Sequence, residues 1–456
     1  MRATDGRAKK EGQKGVVGRM ACMACALVLL NGCGLMDSVF PDDEEVRLPG
    51  ERISVLLHER ALKPDPKVAD AKILLPKPSV NASWPQSGGY ANHAMHHIAV
   101  GDVLKPLWKV DIGEGADDDT RIIGAPIVAG GRVFAMDAET TVSAFEAKTG
   151  TLLWEAELTP EDEDDGHISG GIAYENGRVF VATGFAQVIA LDAGDGSEIW
   201  RQTVGGPLRS APTVRGGRVF VVTVDNKLFA LDAVNGGSLW THTGITEIAS
   251  LLGGGSPAVD GGVVVVPYSS GELVALKVEN GRLLWADSLA SARRSAAVST
   301  LSHIRGRPVI DRGQVFALST GGLMVAIDLR TGRRIWDRRI GGLESPWVAG
   351  NYLFVLSNNS ELVCLSRRDG RIHWVRTLPR YEDEEDQEDP IVWSGPILAG
   401  DRLILAGSHG QVLSVSPYTG RILGSEKMAD GIPVSPVAAD GNVYFLSDDA
   451  ELLAYR

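Results

Sequence analysis

Cysteine and histidine are scarce in this chain. Of 456 residues only four are cysteine and nine histidine. Four cysteines cannot lay down a disulfide framework over this length. Cys22 and Cys25 form a C-x-x-C pair inside an apolar run with no ligand-type residues beside it, which reads as part of a signal core and not as a redox or metal motif. Cys364, in the strand-like run ELVCLS, reads as a small buried apolar residue. The apolar run at 20–30 is too short to span a bilayer. Positive charge is also in deficit: 45 Lys and Arg face 58 Asp and Glu, a net charge of −13. Residues 1–32 hold six bases and only two acids, so the remainder is more acidic still. An acidic body argues against nucleic acid and against electrostatic adhesion to anionic lipid, and leaves a protein partner open.

What is abundant is glycine, 54 residues, with 44% apolar content: frequent turns and material for a large core. A basic stretch ends at Arg19, the apolar run follows, and then comes Leu30-Asn31-Gly32-Cys33. This resembles a bacterial lipobox, with Asn31 unusual in its slot. The resemblance implies a signal peptide over 1–32 and lipid attachment at Cys33, with enough acyl chains, palmitate among them, for stable anchoring. Gly34, where inner-membrane lipoproteins often carry Asp, points by the same resemblance to the outer membrane. Residues 33–83, charged at 41–45 and rich in proline, read as a lipidated tether holding one ordered segment, RISVLLHE at 52–59.

From residue 84 onward the chain repeats. SAPTVRGGRVFVVTVDNKLFALDAVNGGSLW at 210–240 matches 124–154 and 255–285, and further copies occupy 169–200, 306–336, 344–374 and 394–424. Each holds a Pro, a β-branched pair, a Gly turn, a strand, a polar turn, a second strand and Gly-x-x-x-Trp. The tryptophans fall at 154, 200, 240, 285, 336 and 374; the seventh copy ends in Gly424 instead, and the eighth stops at Arg456 before any Trp. Trp108, near the start, has no copy before it. Copies of this length with about four short strands each are propeller blades. The ragged ends predict that the strand around Trp108 completes the blade begun at 434–456, hiding both sheet edges. The expected fold is therefore all-β: an eight-bladed β-propeller over 84–456, four antiparallel strands per blade. Each recurring Trp should wedge against the neighbouring blade, burying about 150–250 Å², and the Gly four residues earlier should supply a left-handed turn.

The Gly-x-x-x-Trp blade resembles the repeat of the pyrroloquinoline-quinone (PQQ) dehydrogenases, and WPQSGG at 84–89 resembles the segment that opens those propellers. The same repeat occurs in the BamB family, lipoproteins of the outer-membrane β-barrel assembly (BAM) complex. The dehydrogenases need a Ca²⁺ held by clustered oxygens, a carboxylate base and commonly a vicinal Cys-Cys disulfide. This chain has no adjacent cysteines. Its acids concentrate in EDEDD at 161–165 and YEDEEDQED at 381–389, which read as solvated loops between blades. His93, His96 and His97, with no carboxylate indicated beside them, do not make a metal site. The expectation is no enzyme, no cofactor and no metal.

BamB proteins carry a Leu-x-Leu-Arg loop before Ser-Ala-Pro that contacts the barrel protein BamA. Here Pro207-Leu208-Arg209 precedes Ser210-Ala211-Pro212. The resemblance assigns partner contact to Leu208 and Arg209, with an exposed Leu beside an Arg suiting an interface hot spot. Gly206 replaces the first Leu. In the next inter-blade loop TEI and Leu251 resemble the family, but the two acidic contact positions fall at Gly253 and Gly255, so that part of the contact is absent or remodelled. The implied function is a lipid-anchored, periplasm-facing outer-membrane scaffold that binds BamA and aids folding and insertion of outer-membrane proteins, with unfolded clients as further partners. A quinoprotein dehydrogenase and a lipoprotein propeller of another envelope complex are the alternatives.

Overall fold

Eight antiparallel sheets of four strands each follow one another around a ring. The computed structural model describes residues 62–117, 119–161, 168–247, 251–290 and 302–456. The chain divides into two units, 1–61 and Leu62–Arg456. Cys22, Cys25, Cys33, the segment 52–59 and most of EDEDD lie outside the described residues.

Blades one to seven span 127–157, 171–203, 213–243, 258–288, 309–338, 347–377 and 393–427. Blade eight takes three strands from 437–455 and its fourth from Pro106–Asp111, which pairs antiparallel with Glu451–Tyr455, Trp108 opposite Ala454. The ring is closed as the ragged repeat ends predicted. The second strand of a blade, such as Arg178–Ala182, is buried on both faces because blades stack against each other on either side, so it reads as a continuous apolar run. The fourth strand alternates: in Glu198–Thr203 Trp200 is buried while its neighbours face water.

The tryptophan and glycine of the repeat meet across blades. The glycines at 150, 196, 236, 281, 332, 370 and 420 all have φ between 65° and 79°. A β-carbon on each would fall 2.5–2.8 Å from the Trp ring or side chain of the preceding blade, at positions 108, 154, 200, 240, 285, 336 and 374 in turn. The glycine thus serves twice, for its turn and for the room it leaves the indole. Each indole Nε1–H donates to a backbone carbonyl of the next blade, at 147, 193, 233, 278, 329, 367 and 417, over 2.7–3.2 Å. Within its own blade the Trp faces a small residue across the ladder, Ala144 opposite Trp154 and Ala230 opposite Trp240. Cys364 holds that small position opposite Trp374; it is fully buried, and burial pushes its thiol pKa up.

The seam between blades seven and eight differs. Gly424 stands opposite Ser414, and nothing lies within 4 Å of where its β-carbon would be. Blade eight has no turn between its third and fourth strands, because these come from opposite ends of the ring; residues 101–105 run there instead, with Lys105 and Arg456 exchanging backbone hydrogen bonds. Arg402 of blade seven donates to the carbonyls of Gly101 and Asp102, and the Tyr455 hydroxyl donates to Met428 Sδ over 3.2 Å.

Residues 81–98 form a strap across one mouth of the central channel. Asn81 Nδ2 reaches Ala438 O of blade eight, Trp84 pairs with Val128 of blade one, and Gln86 pairs with Ala173 of blade two while its side chain takes both backbone groups of Val214 in blade three. Val259 N donates to Ala91 O, Ile310 N to Asn92 O, the Trp347 indole to His96 O, and Ile98 N to Leu398 O. All eight blades are touched in order. Upstream of it, residues 62–78 lie along blade six, where Asp65 N donates to Ile372 O and Arg371 sits 3.5 Å from Asp65.

Candidate functional site

The connectors that lead into the inner strands ring the opposite mouth of the channel. They surround an open funnel, about 590 Å³ with the solvent at its mouth, whose floor includes Ser87 of the strap. A second hollow of about 400 Å³ adjoins it, and Arg209, Ser210, Gly253 and Gly254 line both. Such connectors carry side chains on a rigid frame, the usual setting of a binding site.

The two residues expected at the partner contact part company here. Arg209 is exposed, and its guanidinium has no hydrogen bond or ion pair among the described residues. Leu208 was expected on the surface, and this is corrected: it is 0% exposed. Its N–H donates to Thr183 O of blade two over 3.1 Å, it bridges to Thr223 of blade three, and its side chain belongs to the apolar cluster shared by these blades. An apolar side chain at the root of a connector is drawn between the sheets, while the long charged one beside it stays in water. Of the two expected acidic positions, Gly255 has no room for a side chain, since a β-carbon would fall 2.7 Å from Pro267 Cγ, and Gly253 lies at φ 81° against Arg305.

Sequence reasoning missed Arg305 and Arg307, which line the same funnel. Arg305 Nη1 sits 3.4 Å from Glu344 Oε1, and its Nε donates to Leu252 O. Arg307 Nη1 donates to Ser87 Oγ over 2.8 Å, while its Nε is buried without a partner among the described residues. Burial lowers the Arg307 pKa; the charge of Glu344 opposes this and that of Arg305 adds to it. His93 stands behind Arg307, its Nδ1–H on Pro308 O. Burial, then the charge of Arg307, pulls the His93 pKa down to about 3. His303 is pulled to about 4 by burial and then Arg305.

The histidine trio serves the strap. His97 Nδ1–H donates to Pro76 O and its Nε2 accepts from Asp401 N. His96 Nε2 lies 3.4 Å from Asp311, whose carboxyl burial alone would raise but which His96 and Arg367 hold well below the usual range. Among the described residues no three His, Cys, Asp or Glu side chains are gathered as a metal would need. The acidic stretch 381–389, expected as a solvated loop, is solvated but ordered: Tyr381–Asp383 and Glu388–Pro390 form an exposed hairpin.

The sequence profile of a family described as "Outer membrane protein assembly factor BamB" matches residues 105–166 and 138–376. The chain belongs to the BamB family. BamB from Escherichia coli K12 is 28% identical over 164 residues, which cover 35% of this chain and 39% of that protein. The match thus spans well under half of the relative's length. The crystal structure of BamB from Moraxella catarrhalis superposes with a TM-score of 0.65 at 18% identity, covering 78% of this chain and all of that one. A quinohemoprotein alcohol dehydrogenase from Comamonas testosteroni gives 0.62 at 13% identity over 82% of this chain and 80% of its own. At these identities the structural likenesses speak for the fold alone.

Proposed function

We propose that this protein is a non-catalytic scaffold of the outer-membrane β-barrel assembly machinery. It is made with a signal peptide over 1–32, held to the outer membrane by lipid on Cys33, tethered by residues 33–83 and turned toward the periplasm. BamA docks over the connectors between blades two and three, and the complex aids folding and insertion of outer-membrane proteins. Membership of the BamB family supports the assembly role. The observation that carries the contact is the exposed Arg209 guanidinium, without a partner among the described residues, between two hollows on a rigid face. Arginine in such a place is a frequent hot spot.

Arg209→Ala should weaken capture of the periplasmic part of BamA by roughly tenfold or more, at unchanged circular dichroism. A folded variant that captures BamA as well as the wild type excludes this connector as the contact. Leu208→Ala does not test the contact: its burial makes it a stability variant, expected to cost about 2–5 kcal/mol. Cys33→Ala should abolish labelling by radioactive fatty acid, and equal labelling of both forms would sink the anchor.

A further inference from the structure

In a chain of net charge −13, the funnel concentrates charge of the opposite sign. Its described lining holds three arginines, at 209, 305 and 307, and a single acid, Glu344, already beside Arg305. Arg307 donates only to a neutral hydroxyl and leaves its buried Nε–H unsatisfied. Buried charge is costly unless paired, and a buried donor without an acceptor keeps the full cost of its lost hydration. A guanidinium presents its donors as a planar fork that a carboxylate matches with two parallel bonds. The remaining wall is small and rich in hydroxyls, with Ser87, Ser210, Ser256, Ser345 and Ser435 beside Ile123, Ala125 and Leu343, so an anion that enters meets further donors.

We infer that the funnel is a carboxylate site, taking an acidic side chain of an extended polypeptide, with Arg305 and Arg307 at the bottom and Arg209 at the mouth. The site goes beyond the scaffold reading and stands whether or not Arg209 meets BamA. The funnel is open to solvent and shares lining with the second hollow, so an extended chain can lie across its mouth with a side chain inside.

The test is calorimetric titration of the full chain in detergent with a capped hexapeptide of alternating Glu and Ala, its Gln counterpart, acetate and inorganic phosphate. The Glu peptide should bind, the Gln peptide at least about tenfold more weakly, and added salt should weaken binding. Arg305→Gln and Arg307→Gln should each reduce Glu-peptide affinity about tenfold, while Lys148→Gln, on an exposed turn, should leave it unchanged. Equal binding of the Glu and Gln peptides, or unchanged affinity in both arginine variants, overturns the site. Acetate or phosphate binding as tightly as the peptide overturns its polypeptide occupant. Should Arg307→Gln fail to fold by circular dichroism, Arg305→Gln alone decides, since Arg305 is partly exposed and holds only Leu252 and Glu344 among the described residues.

Discussion

Seven seams of this ring are closed by an indole lying on a glycine; the eighth lacks the indole and keeps an arginine reaching two carbonyls, a contact that Arg178 also makes at an indole seam. The cause is connectivity. At seven seams the later blade has a continuous turn between its third and fourth strands, and that turn supplies both the left-handed glycine and the carbonyl that the indole N–H needs. Blade eight is assembled from 437–455 and 106–111, so its corresponding turn does not exist. Without that seat a tryptophan at position 424 would lack its partner, and the chain has glycine there. Arg402 and the run 101–105 bridge the gap by hydrogen bonds. A repeat motif is therefore a statement about two neighbouring blades, and it lapses where one of them is discontinuous.

The most severe break of this contrast removes blade eight. Deleting 434–456 leaves Pro106–Asp111 unpaired and blade seven bare on one side, and the product should aggregate or lose cooperative melting. A truncated chain that melts cooperatively at the wild-type temperature would show that the ring does not depend on this closure. Next, Trp374→Ala, at the seam of blades six and seven, should cost about 3–5 kcal/mol in urea unfolding. Gly424→Trp, entering open space, should change stability by less than about 1 kcal/mol. Similar costs at both places would erase the distinction between the seams. Smaller again is the glycine itself: Gly236→Ala should cost at least about 1–2 kcal/mol from its left-handed φ, whereas Gly424→Ala should stay within about 0.5 kcal/mol.

An effect that is nil at neutral pH and grows with acid contrasts strap with seam. Unfolded His93 takes its proton near 6.5 and the folded one near 3, so the unfolded chain binds more protons in between. The stability this residue contributes is fully present above pH 6.5 and is lost as pH falls toward 3. His93→Asn, which tolerates the observed φ of 60°, should flatten the decline of melting temperature between pH 7 and 4. An unchanged slope would remove His93 from the account; seam variants should shift the curve without altering its slope.

The ring was legible because its determinants recur. Seven Gly-x-x-x pairs and six evenly placed tryptophans can be counted, and the unmatched Trp108 finds its place by elimination. The strap was not legible: it spends about one hydrogen bond on each blade, at irregular intervals from Asn81 to Ile98, and so shows no periodicity. Two of its histidines, His93 and His97, serve as backbone clips, and His96 faces the Asp311 carboxylate. Leu208 and Arg209 looked alike as connector residues, since what separates them is Thr223 and the sheet of blade three beside them. Arg305 and Arg307 drew no notice because their significance arises only when connectors distant in sequence converge with Ser87.

The pairing of 106–111 with 451–455 also sets an order of events. The first strand of the ring must wait for the far end of the chain before it has a neighbour, and throughout synthesis its backbone groups stay available to any other strand nearby. Blades one to seven can form in turn from local contacts, but the slow step is one long-range encounter that carries the entropy of closing nearly the whole chain. Until it happens the protein is an open arc with a sticky tip at each end, and two such arcs meeting in a crowded compartment would exchange their last strands and close as a swapped dimer.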